Sequence, residues 1–224
     1  MTSKTAVVSQ REVGEHTKSF HRALEGALRQ DPDVIAVGEL RDRETTRMAL
    51  SASETGHLVL ATMNAPSAAR AVERVLDMFP PGEQPQVRAT LAGGLRLIVS
   101  QRLVKLASGQ GRTAALEILP GCVPVWNLIR EEKTHQLGGL MQRGRSLGMV
   151  QLEDSIVTLM ESETIDLEEG KQLLASLGSR AEAPSPAAAP PRSPPSAEEP
   201  EDEDGALGAL WQKAGAIFGR KGGS

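Results

Sequence analysis

The apolar residues of this chain fall into short blocks whose spacing switches between that of a helix and that of a strand. Phe20, Leu24, Ala27 and Leu28 share one face of a helix over Phe20–Gln30, which Ser19 can cap and Asp31-Pro32 stops. Val34, Ile35, Ala36 and Val37 then form an unbroken apolar run between Pro32 and Gly38, the profile of a strand buried on both faces. Asp42 opens the next helix, which turns Met48, Ala49 and Ala52 inward and ends at Gly56. Leu58–Ala61 predicts a second buried strand, with Thr62, Met63 and Asn64 at its tip. Ser67 caps a helix whose Ala68, Val72, Val75, Leu76 and Phe79 recur at helical spacing, and Pro80-Pro81-Gly82 stops it. Glu83–Leu97 predicts a further helix, stacked through Val87, Leu91 and Leu95. Leu97–Val104 and Arg112–Leu119 predict a hairpin around Gly109-Gln110-Gly111, and Ala6-Val7-Val8 a short strand near the start. From Val125 onward the pattern is helical: Val125–Lys133, Leu137–Arg143, Leu152–Glu161 and Leu167–Leu177, the last capped by Asp166.

The pattern is that of an α/β chain with a helical segment behind it. Residues 1–122 make the α/β core and 123–178 a helical subdomain. From about Ser179 the composition changes. Half of the 14 prolines fall between Pro184 and Pro200 among Ala and Ser, and Glu198–Asp204 is almost wholly acidic. Too little apolar surface is available there to offset the cost of ordering, so 179–205 is expected to be a disordered linker. Residues 206–221 (ALGALWQKAGAIFGRK) carry Leu207, Leu210, Trp211, Ala214, Ile217 and Phe218 on one helical face, weakened by glycines. This short amphipathic segment is either a tethered docking peptide for a partner groove or membrane surface, or a tail without a role.

Composition narrows the classes. With 39% hydrophobic residues in 224, most of the chain can fold around a core. Aromatics are 2%, so Leu, Val, Ile, Ala and Met must build that core. A formal net charge of −4 gives no reason to expect nucleic acid as a partner. The one cysteine, Cys122, rules out an intrachain disulfide and CxxC metal clusters, and reads as a small buried hydrophobe. No apolar run approaches the length of a membrane span and no signal-peptide core opens the chain, so a cytoplasmic location is expected.

The candidate chemistry sits at the end of the first apolar run. Glu39 follows it, with Arg41 and Asp42 just beyond. In open α/β sheets ligands bind outside the carboxyl ends of the strands. A carboxylate there can orient a water or support a magnesium shell beside a phosphate. The plainer reading is a core strand followed by a helix cap, Asp42 being the cap. Lys18-Ser19 mimics the end of a phosphate-binding loop, but Val13 and Thr17 occupy the two glycine positions of G-x-x-x-x-G-K-[ST]. Without those glycines the backbone amides cannot cradle a phosphate.

Several ordered segments carry a resemblance. Gln10-Arg11-Glu12-Val13-Gly14-Glu15, Ala27–Asp33, Gly38-Glu39-Leu40-Arg41-Asp42, Glu54-Thr55-Gly56-His57-Leu58-Val59, Asp77-Met78-Phe79-Pro80, Ser100-Gln101-Arg102-Leu103 and Asn127-Leu128-Ile129-Arg130-Glu131 resemble the type IV pilus retraction (twitching motility, PilT-like) ATPases of the type II/IV secretion superfamily. The resemblance runs from about Val7 to Ile165. It implies an incomplete RecA-like P-loop ATPase core, the Walker B half, with a C-terminal helical subdomain and a disordered tail. It also implies ATP and magnesium as cofactors, a hexameric motor ring, and an inner-membrane platform protein as partner, which adds a peripheral membrane position. Carried over by position, Glu39 is the Walker B glutamate, polarising water or supporting magnesium through a water. Thr62 and Asn64 lie in the phosphate-sensing box, and Arg41 and Arg29 are candidates for contacts within or across the nucleotide interface.

The chain also departs from the family. The family's N-terminal domain, phosphate-binding loop and acidic box are expected upstream of where Met1 falls. Asn64 stands in place of the box histidine, so it can hydrogen-bond a phosphate but cannot change charge near neutral pH. Pro124-Val125-Trp126 stands where the retraction motif has Ala-Ile-Arg, exchanging a positive charge for an indole. Two functions remain open at this point: part of a retraction motor, complete only with an upstream half, or an inactive paralogue that modulates the motor ring or its platform. A sheet without its first strands should leave apolar faces bare and the chain poorly soluble alone. Phosphoryl transfer is catalysed mostly by positioning and electrostatic stabilisation from loop amides, lysine and magnesium. The purified chain is therefore expected to show no magnesium-dependent phosphate release from ATP in a malachite-green assay, and measurable turnover would overturn this.

Overall fold

In the computed structural model, residues 6–181 are described, and they form a mixed α/β fold. The linker expected from 179 begins later, since helix runs to Ala181, and the rest of it and the amphipathic segment 206–221 lie outside the described residues. The order is α1 (Phe20–Leu28), β1 (Val34–Val37), α2 (Arg43–Glu54), β2 (Leu58–Ala61), α3 (Ala68–Asp77), α4 (Gln84–Gly94), β3 (Leu97–Lys105), β4 (Arg112–Pro120), α5 (Val123–Arg130), α6 (Leu137–Arg143), α7 (Leu152–Glu161) and α8 (Leu167–Ala181). Ala6-Val7-Val8 is not a strand: the segment pairs with nothing among the described residues and Val7 is fully exposed.

Local side-chain chemistry sets the helix starts. Ser19 Oγ accepts from Arg22 N, and Ser67 Oγ from Arg70 N. Asp42 is the strongest cap, its carboxylate accepting from both the backbone N–H and the hydroxyl of Thr45 at 2.8 Å. Thr46 Oγ1 donates to Asp42 O, so two buried threonines are satisfied by one cap. Gly56 ends α2 at φ +99°, a conformation that only glycine adopts without strain.

β1 and β2 pair in parallel, Val34 opposite Leu58 and Val37 opposite Ala61. β3 and β4 form an antiparallel hairpin from Leu97–Pro120 to Lys105–Arg112. Three apolar clusters hold the fold. In the first, α1 and α2 cover Ile35 and Val37 through Leu24, Ala49 and Ala52. The largest joins α3 and α4 to α5 and α6 around Val72, Leu91, Leu119, Val125, Ile129 and Leu137. The third seats the hairpin on α7 and α8 through Val104, Ala115, Leu152 and Ile156. Cys122 is half-buried at the edge of the largest cluster.

The expectations that β1 is buried on both faces and that β2 is a second buried strand fail. β1 alternates, with Ile35 and Val37 inside and Val34 and Ala36 outside. Leu58 and Leu60 of β2 are exposed as well. An apolar run shows that both faces avoid water, whereas burial needs cover, and only one face has helices packed on it among the described residues.

α2 and α4 are fastened by Glu83, which pairs with Arg43 at 2.5 Å and also with Arg47. The Arg47 guanidinium lies 5.6 Å from the centre of the Phe79 ring. Thr90 Oγ1 donates to Glu54 at 2.9 Å. Glu117 on β4 reaches across to accept the backbone N–H of Ala68 at 2.6 Å, tying the first turn of α3 to the hairpin. Burial pushes the Glu117 carboxyl up, opposed by that N–H and reinforced by the charge of Glu153.

These contacts have measurable consequences. Ile129 is fully buried, so Ile129→Ala is expected to cost about 2–5 kcal/mol in urea unfolding, whereas Val157→Ala on the exposed side of α7 should cost less than about 1 kcal/mol. Glu117 holds its proton more tightly folded than unfolded. Its contribution to stability is fully present below the unfolded value and is lost as pH rises through the raised folded value. Glu117→Gln keeps an acceptor for Ala68 and removes the titration. Urea midpoints measured across the carboxylate range should show the native chain losing stability relative to this variant as pH rises.

Candidate functional site

β1 ends at Val37 and the chain passes through Gly38, Glu39, Leu40 and Arg41 before Asp42 starts α2. Parallel strands need a crossover of a dozen or more residues, and α2 supplies it, so β1 and β2 finish at the same end of their sheet. The ladder continues past the last paired residues. Leu40 N donates to Thr62 O at 2.9 Å, and Thr62 Oγ1 donates to Gly38 O. Thr62 therefore grips the backbone on both sides of Glu39.

Glu39 is half-buried, with its side chain at about a third of full exposure. Its Oε2 accepts from Arg41 Nε at 2.7 Å and Nη2 at 2.6 Å. This two-point contact holds the carboxylate beside the sheet end. The hydrogen bond to Glu39, then its charge, raises the Arg41 pKa above its ordinary value, so the guanidinium stays charged at any working pH. Because Arg41 is exposed, the pair adds little stability and both groups can turn to other partners.

Glu39, Arg41 and Thr62 are thus brought together, while Asn64 and Arg29 lie elsewhere. Asn64, exposed two residues past Thr62, lines a groove with Ala65, Pro66, Arg74, Ser100, Gln101 and Arg102. Arg29 caps the C-terminus of α1, before β1 begins, and pairs with Glu25 at 2.9 Å in an exposed i,i+4 contact. It stands at the opposite end of β1 from Glu39.

The structure adds residues that the sequence pattern did not single out. Glu117 fixes the start of α3 immediately after the Thr62–Ser67 loop, and Arg74 faces the groove with Asn64. The only sequence signal for Glu117 was an acid among the apolar residues Ala114–Leu119. Trp126 also takes on a defined role. Its Nε1 donates to Leu95 O at 3.1 Å and its ring packs against the largest cluster, while Val125 beside it is fully buried. Gly121 makes room for this, because a Cβ there would lie 2.0 Å from Leu95 O. The indole thus anchors α5 to the end of α4.

A single carboxylate with neighbouring hydroxyl and carbonyl oxygens suits magnesium bound chiefly through phosphates and waters. It does not suit an all-protein cage, and no such cluster occurs among the described residues. Nor is any helix of the described residues long and apolar enough to cross a membrane.

Comparison with known proteins places this geometry. The family described as "Type II/IV secretion system protein" matches residues 4–169. The "Twitching motility protein" of Neisseria gonorrhoeae is 46% identical over 163 residues, covering 73% of this chain and 44% of its own length. The "Type IV pilus retractation ATPase PilT" of Pseudomonas aeruginosa is 46% identical over 170 residues, covering 76% and 49%. A crystal structure of the pilus retraction motor PilT with bound ADP superposes with a TM-score of 0.67 at 44% identity, over 74% of this chain and 46% of that one. The chain spans about half the length of the curated relatives it matches. The family match spans the elements that carry Glu39 and Thr62, and the chain belongs to the type II/IV secretion system protein family, alongside its twitching motility and pilus retraction members.

Proposed function

We propose that this chain supplies the Glu39-bearing part of the ATP-hydrolysing site of a type IV pilus retraction motor. The observation that carries the reading is that Glu39 and Thr62 share the carboxyl end of two parallel strands, where Thr62 bonds the backbone on both sides of Glu39. The retraction motor of known structure binds ADP, which supports a nucleotide as ligand. Magnesium held by the nucleotide phosphates would supply charge neutralisation at the transferring group.

The chain's own residues have distinct tasks in this reading. Glu39 orients the attacking water or a water of the magnesium shell. Thr62 fixes the backbone around Glu39, and its position suits a hydroxyl that senses the terminal phosphate. Asn64 contacts phosphate as a neutral hydrogen-bonding group. Arg41, now on Glu39, can swing to an incoming anion. Arg29, which is exposed at the far end of β1, makes a contact across a subunit boundary in this reading. The phosphate-binding loop and its lysine come from the half of the fold that this chain does not match. The working assembly is a hexameric ring on an inner-membrane platform protein, at the cytoplasmic face.

A chimera tests this directly. Residues 4–169 replace the aligned stretch of the P. aeruginosa relative. The chimera is expected to hydrolyse ATP with magnesium, and Glu39→Gln within it to lower kcat by about a hundredfold or more with nucleotide affinity little changed. A folded chimera that binds ATP yet turns over no faster than its Gln variant would overturn the proposal.

A further inference from the structure

We infer that Glu117 is a positioning residue for the proposed reaction, holding the loop that carries Thr62 and Asn64 by fixing the helix into which that loop runs. The reaction is taken from the proposed function, and the contact from the structure alone.

The first observation is how the loop is held. It leaves β2 at Thr62, whose carbonyl accepts from Leu40 N at 2.9 Å and whose Oγ1 donates to Gly38 O. It enters α3 at Ala68, whose backbone N–H donates to Glu117 Oε1 at 2.6 Å. Between these anchors Met63 packs on the largest cluster, while Asn64, Ala65 and Pro66 line the groove. Among the described residues, Met63, Asn64 and Ala65 make no hydrogen bond of their own. The place of Asn64 is therefore set largely from the two ends of the loop, and Glu117 holds one of them.

The second observation is that the helix start has no substitute for this carboxylate. The first amides of a helix find no partner within it. Ser67 serves the amides further along, its Oγ accepting from Arg70 N and its carbonyl from Ala71 N. That leaves the Ala68 N–H to Glu117. Ala68 is fully buried, so water does not take the carboxylate's place.

The third observation is how Glu117 itself is mounted. It stands directly opposite Ser100 in the β3–β4 ladder. Opposite residues share a face, as do residues two apart, so Glu117 lies on the face that carries Ser100 and Arg102 of the groove wall. On the other edge of β4, Leu116 N donates to Ser155 Oγ at 3.0 Å. Ile118 exchanges both backbone hydrogen bonds with Val150, at 2.9 and 3.0 Å. The strand is thus bonded along both edges around Glu117, and a side chain on such an element holds its target more precisely than one on a loop. A misplacement of about 1 Å at the reacting groups can cost about a hundredfold in rate. Glu117 can therefore govern turnover without touching the nucleotide.

The test compares three substitutions at this position. Glu117→Ala removes the acceptor, Glu117→Asp keeps the charge but falls a methylene short of the amide, and Glu117→Gln keeps an acceptor at full length. Ile129→Val, in the largest cluster, is the control that lowers stability and leaves the Ala68–Glu117 bond in place. Hydrogen exchange on the full 224-residue chain reads the loop end at the Arg70 and Ala71 amides, which bond Ser67 rather than Glu117. These amides are expected to exchange about tenfold faster or more in Glu117→Ala and Glu117→Asp, and at the native rate in Glu117→Gln and Ile129→Val. In the chimera, Glu117→Ala and Glu117→Asp should lower kcat about tenfold or more with KM for ATP little changed, and Glu117→Gln should restore most of that loss. Should Glu117→Ala not fold, Glu117→Asp carries the same comparison. The inference is overturned by unmoved Arg70 and Ala71 exchange, by an unmoved kcat, by Glu117→Gln falling as far as Glu117→Ala, or by Ile129→Val doing so. A chimera inactive even with Glu117 in place removes the proposed function, and the exchange then decides by itself whether Glu117 holds the loop.

Discussion

Parallel strands cannot be joined by a tight turn, and that constraint governs this fold. To pair Val34–Val37 with Leu58–Ala61 in parallel, the chain must climb back through α2 before starting β2. The turn at the top of β1 has to place a helix cap within a few residues of the strand. Asp42 is that cap, and Glu39 sits in the short span between strand end and cap. The position of the candidate catalytic carboxylate is thus a by-product of connectivity, made rigid by Thr62 from the neighbouring strand.

The electrostatics around Glu39 are light and adjustable. Its partner Arg41 is exposed and adjacent in sequence, so the pair costs little to part. Elsewhere the charges serve packing. Glu83 gathers Arg43 and Arg47 between α2 and α4, and the nearly buried Arg88 is matched by Glu132. Glu117 stays inside because the first amide of α3 needs an acceptor. The structural ion pairs are distributed over the helices, and the sheet end is left to groups that can exchange partners.

Asn64 and Trp126 are held in different ways. Asn64 is exposed at a groove, where a change of side chain disturbs no packing. Trp126 is partly buried with its own acceptor and a glycine opposite, so a charged residue there would leave Leu95 O and a core surface without their partner. The first position bears on what a ligand would meet, and the second on how the helical part is held.

Much of the fold was legible because local rules dominate it. Ser19, Asp42 and Ser67 marked helix starts, Gly56 and Gly109-Gln110-Gly111 marked turns, and helical spacing identified Val72 and Leu91 as core. Glu39 was legible for the same reason, being an acid at the tip of an apolar run. Tertiary structure alone decided what depends on residues far apart in the chain. Val34, Leu58 and Leu60 are as apolar as buried strand residues, yet burial requires a second layer, and that is a property of neighbours. Likewise Arg29 and Arg41 carry the same charge near the same strand. Only the path of the chain puts one beside Glu39 and the other at the opposite end, because a strand separates by distance what the sequence sets close together.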